Sequence, residues 1–206
     1  MIIIDLINIS KSYGKQIIFN LLNYQFEQGK TYLITGENGA GKTTIIKAIL
    51  KLIQIEEGEI KVKTNKIGYV PEKISFPDFV RAFSFLQQLA LIKGIDAFIV
   101  NDIVDFYLDD WCLLENKQKH LKELSKGMLQ KILIIQSFLG NPDLLVFDEP
   151  LNGLDERSQA HFKRLITKEK TAKKTILIST HYPEYYKGME DVHLIVNNGC
   201  LNEKYH

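Results

Sequence analysis

Apolar and polar positions alternate along the start of the chain, and the rhythm then changes twice. Ile2 to Ser10 and Asn20 to Phe26 follow a period of two, with Leu22, Tyr24 and Phe26 on one face, which predicts paired strands. Thr31 to Thr35 is a short apolar strand, and Thr43 to Ile53 reads as a helix. Gly58 to Lys63 and Lys66 to Val70 are short strands joined by a turn at Asn65. From Glu72 the texture becomes helical. Phe79, Phe83, Leu86 and Ala90 recur at three- and four-residue steps over Asp78 to Lys93, Asp96 is placed to cap a second helix toward Leu108, and Gly127 to Leu139 is a third, very apolar helix. After Gly140 come a strand (Leu144 to Asp148), a helix (Asp155 to Lys170), a strand (Thr175 to Ser179) and a hairpin (Val192 to Glu203) turning at Asn198-Gly199. The pattern predicts one α/β domain over residues 1–206, with an antiparallel β region at its N-terminal side and a helical subdomain inserted at about 72–140.

The uniformly apolar run Leu144-Leu145-Val146-Phe147 fits a central parallel strand covered on both faces, and it ends in two acids, Asp148 and Glu149. Carboxylates at the carboxyl end of such a strand stand where open α/β sheets bind ligands. The other informative run is Gly36-Glu37-Asn38-Gly39-Ala40-Gly41-Lys42-Thr43, between the strand Thr31–Thr35 and the helix that starts near Thr44. Strand, glycine loop and helix in that order form a phosphate cradle. Gly36, Gly39 and Gly41 allow positive φ, and the N–H groups of Asn38, Gly39, Ala40, Gly41, Lys42, Thr43 and Thr44 are placed to surround an anion at a helix N-terminus. Lys42 reaches the outer phosphates and the Thr43 hydroxyl is a Mg²⁺ ligand. Asp148 fits the acid that holds the metal from the far side, and Glu149 fits a general base toward water.

Beyond these runs the chain carries Leu124-Ser125-Lys126-Gly127-Met128, about twenty residues before Asp148, then Pro150-Leu151-Asn152-Gly153-Leu154-Asp155, then Ser179-Thr180-His181, and near its start Lys11-Ser12-Tyr13-Gly14-Lys15. In that order they resemble the ATP-binding subunit of an ABC transporter over nearly the whole length. The resemblance implies the P-loop NTPase core of the ABC ATPase type, with ATP and Mg²⁺ as cofactors. It implies adenine stacking by Tyr13, a Q-loop role for Glu72 toward nucleotide and metal, signature contacts by Ser125 and Gly127, a D-loop contact by Asp155, and a γ-phosphate contact by His181. Lys126 and Met128 depart from the common signature, Glu72 stands where many members carry glutamine, and Leu151 replaces a small hydroxyl residue. The L-S-K-G-M and Y-x-P-E variants resemble the branch that includes many exporter ATPases and tilt the reading toward export.

In the family's motif order Ser125 and Gly127 lie far from their own nucleotide, so the resemblance implies a head-to-tail dimer, homo- or heteromeric, with two ATP molecules at the interface. It also implies a transmembrane permease subunit as partner and a peripheral place on the cytoplasmic face of the membrane. The segment Glu72 to Arg81, with Lys73, Ile74, Phe76 and Phe79, is the expected docking stretch. A different reading, a soluble ATPase clamping a non-transport assembly, is disfavoured for the DNA-repair type, because no sustained heptads separate the phosphate loop from the signature.

Composition narrows the classes further. A net charge of +1 gives no electrostatic footprint for nucleic acid, and no nucleic acid partner is expected. Cys112 and Cys200 suit neither a disulfide framework nor a zinc site. Trp111 and Cys112 are expected in the core, as is the Phe76, Phe79, Phe83 and Phe85 cluster. His120, His161, His193 and His206 have no metal-ligand spacing. No stretch approaches the ~20 apolar residues of a membrane span, and the first residues lack the pattern of a signal peptide.

Overall fold

The computed structural model describes residues 1–73 and 75–204. Ile74, expected in the docking stretch, and His206 lie outside the described residues. The elements are β1 (Ile2–Tyr13), β2 (Gln16–Glu27), β3 (Thr31–Thr35), α1 (Lys42–Ile49), β4 (Glu57–Val62), β5 (Ile67–Val70), α2 (Ala82–Ile92), α3 (Val100–Asp110), α4 (Lys126–Phe138), β6 (Leu144–Asp148), α5 (Glu156–Thr171), β7 (Thr175–Ser179), β8 (Val192–Asn197) and β9 (Cys200–Glu203), with short 3-10 turns at Leu114–Asn116, Leu121–Glu123 and Pro183–Tyr186.

They form two sheets. β2-β1-β4 is antiparallel, and β5-β6-β7-β3-β8-β9 is parallel except for β9. The strands flanking Asn65 therefore part company: β4 pairs with β1, and β5 pairs with β6. Alternation along the central strands splits the interior. Leu144, Val146, Leu177 and Ile34 face a core shared with the antiparallel sheet and α1. Leu145, Phe147, Ile176, Ile178 and Leu33 face a second core built with α2 to α5. Both faces are covered, which is why β3, β6 and β7 are buried at every position.

Between β5 and β6, neighbours in the sheet, the chain inserts α2, α3, two 3-10 turns and α4. The first of these helices begins later than expected. Ala82 N–H donates to the Lys119 carbonyl at 3.0 Å, Leu121 N–H donates to that of Val80 at 2.9 Å, and Arg81 bridges His120. This pairing between distant segments takes the groups a helical turn would need, so Phe79 stays outside α2, 78 % exposed, with the Lys122 ammonium 4.3 Å from its ring centre. Phe76, Phe83 and Phe85 pack half-buried against the core.

Asp96 builds a turn rather than a cap: its Oδ1 accepts from the Phe98 N–H at 2.8 Å, and α3 starts at Val100. α1 stops at Ile49, because Lys51 adopts a φ of 56°. Trp111 is buried, with its ring centre 4.7 Å from that of His161, but Cys112 is exposed, at a φ of 55° in the turn that closes α3. The β8–β9 hairpin turns at Asn198 and Gly199 as expected, both at positive φ.

Candidate functional site

The sheet order β6-β7-β3 puts the carboxyl ends of three strands side by side. The glycine loop follows β3, Asp148 ends β6 with Glu149 just after it, and His181 follows β7. They border a cleft of about 420 Å³ lined by Tyr13, Gln16 and Ile18 on one side, by Asn38, Gly39, Gly41, Lys42, Thr43 and Thr44 along the loop, and by Glu72, Asp148, Glu149 and His181 opposite. Of the expected loop residues, Gly36 and Ala40 line the reverse side, toward Ile195 and Asn197.

Two loop glycines are required on steric grounds. Gly41 caps α1 at a φ of 109°, and a Cβ there would lie 2.7 Å from Ile18 Cγ2. Gly36, at 153°, has no room either, with the Val196 carbonyl 2.5 Å from the position of a Cβ. The loop folds back on Lys42, whose ammonium donates to the carbonyls of Gly36 at 2.8 Å and Glu37 at 3.1 Å. Its third contact is His181 Nδ1 at 3.3 Å. Lysine has only donors, so Nδ1 accepts and the imidazole proton sits on Nε2. That nitrogen is 3.2 Å from Glu149 Oε1, in Coulombic range, although Oε1 has no hydrogen-bond partner.

Burial dominates the electrostatics. It depresses the Lys42 ammonium below its ordinary range despite the nearby carboxylates. It also lowers the His181 imidazole, with help from the Lys42 cation. Glu149, only 5 % exposed, is pushed up to about 7 by burial and by the charges of Asp148 and Glu72, against the pull of Lys42. A carboxyl near neutrality is matched to taking a proton at physiological pH. Its backbone is also unusual: φ is 51°, held by the Glu149 N–H donating to the Ser179 carbonyl at 3.1 Å. A non-glycine residue in that region costs roughly 1–3 kcal/mol and persists where the surroundings enforce it.

Asp148 is fully buried, and its Oδ1 accepts a short hydrogen bond from the Ser179 hydroxyl. Its Oδ2 is buried without a partner. An unpaired carboxylate oxygen in the phosphate-type cleft that Thr43 also lines fits a Mg²⁺ site. Among the described residues no group of three His, Cys, Asp or Glu side chains forms a protein-only metal cage.

The remaining expected residues lie elsewhere. Ser125 is the N-cap of α4, accepting from the Met128 N–H at 3.3 Å, and does not line the cleft. Gly127 follows it in a tight spot, where a Cβ would be 2.7 Å from the Gly153 carbonyl. Asp155 caps α5, its Oδ1 accepting from the Ser158 N–H at 2.8 Å, and those bonds hold its carboxyl below the ordinary range. The described histidines outside the cleft have local roles: His193 Nε2 lies 2.8 Å from the Thr35 hydroxyl, His161 pairs with Asp110 at 2.9 Å, and His120 caps the turn before Leu124 with Glu123.

Sequence reading missed Ser179 and Gln130. Gln130, on the signature helix, donates to the Pro150 carbonyl at 2.9 Å and so ties α4 to the residue after Glu149. For Ser179 the available signal was a hydroxyl ending the apolar strand Thr175–Ser179; Gln130, beside Lys131 on a mixed helix, gave none.

Comparison with known proteins agrees with this geometry. The family model described as ABC transporter matches residues 19–152. The uncharacterized ABC transporter ATP-binding protein YybJ of Bacillus subtilis is 31 % identical over 210 residues, covering 96 % of this chain and 94 % of that protein. The zinc import ATP-binding protein ZnuC of Rickettsia conorii is 35 % identical over 173 residues, covering 80 % and 69 %. A solved structure described as the ATP binding subunit of an ABC transporter superposes with a TM-score of 0.90 at 24 % identity, over 98 % of this chain and 89 % of that one, which shows a shared fold. The chain belongs to the ABC transporter family, as an ATP-binding and ATP-hydrolysing cassette.

Proposed function

We propose that the chain is the motor of an ABC transporter. It works as a dimer, homo- or heteromeric, that closes on two ATP molecules and drives a substrate, outward by preference, through a separate membrane subunit at the cytoplasmic face. The observation that carries this reading is the one-sidedness of the cleft. Lys42, Asp148, Glu149 and His181 converge on it, while Ser125 and Gly127 sit outside it at the start of α4. A second copy supplies those groups across a two-fold interface, where the Ser125 hydroxyl and the Gly127 N–H reach the γ-phosphate. Tyr13, 51 % exposed at the cleft mouth, offers its ring to the adenine. No helix among the described residues is long and apolar enough to cross a membrane, so the path for substrate is assigned to another chain.

The chain's own groups divide the chemistry. Lys42 exchanges its loop carbonyls for phosphate oxygens and carries positive charge to them. Glu149 takes the proton of the attacking water on a carboxylate oxygen. His181, with its proton on Nε2, orients that water and the γ-phosphate. Thr43 and Asp148, with Glu72 on the facing loop, would hold Mg²⁺, which supplies charge stabilisation to the phosphates. Loss of the γ-phosphate removes the contacts that join the two copies, and the dimer opens.

Mixing two inactive variants tests this arrangement. A Lys42→Ala chain and a Ser125→Arg chain, combined, form mixed dimers with one intact composite site. Recovered ATPase activity in the mixture is expected; none, despite demonstrated mixing, refutes the shared site. Direction is read separately, by substrate accumulation in inside-out vesicles carrying the membrane subunit. One relative is named for zinc import, and accumulation only in right-side-out vesicles would assign import here.

A further inference from the structure

We propose that Ser179 is a positioning residue for the metal-binding acid: its hydroxyl fixes one oxygen of Asp148 so that the other is presented to the cation. The inference rests on the Mg²⁺–nucleotide reading of the cleft.

β6 and β7 are parallel neighbours in a register that sets Asp148 opposite Ser179, both almost fully excluded from solvent. The Ser179 hydroxyl donates to Asp148 Oδ1 and leaves Oδ2 unpartnered. The terminal torsion of an aspartate is soft and roughly two-fold, so a carboxylate held at neither oxygen turns freely. Held at one, it presents the other in a defined direction, as outer hydrogen bonds do for metal ligands generally. The buried Tyr69 hydroxyl, in the field of Asp148 and Glu72, is itself without a partner and so does not occupy Oδ2.

Ser179 acts on the second acid as well. Its carbonyl accepts the Glu149 N–H at 3.1 Å, at the residue forced to positive φ. A buried serine elsewhere in this chain satisfies itself on its own backbone: Ser137 donates to the Ile134 carbonyl at 2.7 Å. Ser179 instead spends its only proton on the carboxylate. One residue of β7 thereby sets the side chain of the metal acid and the backbone of the base.

The test compares the affinity of a fluorescent, non-hydrolysable ATP analogue in EDTA and in Mg²⁺, for the wild type, Ser179→Ala and Ser179→Cys. Cysteine keeps the side-chain shape with a somewhat larger atom and a poor donor. The Mg²⁺-dependent gain in affinity is expected to fall about 10- to 100-fold in both variants, the usual range for a lost outer partner of a metal ligand. The affinity in EDTA is expected to stay within about two-fold of wild type, because that binding runs through the loop and Lys42. A full Mg²⁺ gain in either folded variant overturns the proposal. So does loss of the fold in both, which would assign the hydroxyl to the core alone. A wild type that gains nothing from Mg²⁺ removes the metal reading of Asp148, a result distinct from a variant-specific failure.

Discussion

Replacing Glu149 by glutamine should stabilise the nucleotide-free protein above neutral pH, and the size of the effect follows from the site. The carboxyl is displaced from an ordinary value of 4.5 to about 7, chiefly by burial. The folded state therefore keeps a proton that the unfolded chain has already released between those two values. Stability falls as pH rises through this window and levels off above the folded value. At about 1.4 kcal/mol per pH unit, the penalty at pH 8 has a ceiling of about 3 kcal/mol. Glutamine stands in for the protonated acid at nearly the same volume and pays none of it. In a chain of this length each kcal/mol moves the melting temperature by about 2–4 °C, so the variant should melt roughly 6–12 °C higher at pH 8. The advantage should shrink steadily and vanish near pH 4.5. His181, lowered by burial and by the Lys42 cation, titrates with the opposite sign and is present in both proteins. The assay is thermal or denaturant unfolding of both proteins from pH 4.5 to 8.5, without nucleotide. Parallel curves would refute the argument, since they would mean that Glu149 ionises as freely in the fold as in the open chain.

Three further outcomes are expected. Glu149→Gln should retain ATP binding while turnover falls at least ~10²-fold, the scale of a lost general base; Lys42→Ala should weaken nucleotide binding itself, and a binding titration beside a phosphate-release assay separates the two. For the partner surface, Phe79→Asp is a cleaner probe than Phe76→Asp. Phe79 is exposed, whereas Phe76 is half-buried with its ring centre 5.7 Å from that of Phe85. Phe79→Asp should leave ATP hydrolysis intact and abolish co-purification with the membrane subunit, and an intact complex would move the docking site elsewhere.

Much of this protein was legible in its residues because the decisive features are local. A glycine loop between an apolar strand and a helix, and an apolar strand ending in Asp148-Glu149, carry their chemistry in contiguous positions. The residues of each motif stand together in the chain, and strand order then places both motifs at the carboxyl ends of interior strands of one parallel sheet. Element boundaries were less legible where distant segments compete for backbone groups. The start of α2 moved to Ala82 because residues near 80 pair with residues near 120, and Phe79 was left in solvent. The separation of β4 from β5 into different sheets is likewise a matter of partners far along the chain.

Only the tertiary structure decided what each group in the cleft faces. Sequence places Ser179 at the end of a strand and Gln130 on a helix; register puts one against Asp148, and packing puts the other against Pro150. The same holds for protons. Lys42, Glu149 and His181 are ordinary titratable residues in the chain, and burial beside one another shifts all three. Desolvation depends on how much of the molecule closes over a group, a quantity summed over every neighbour in space and written at no single position in the sequence.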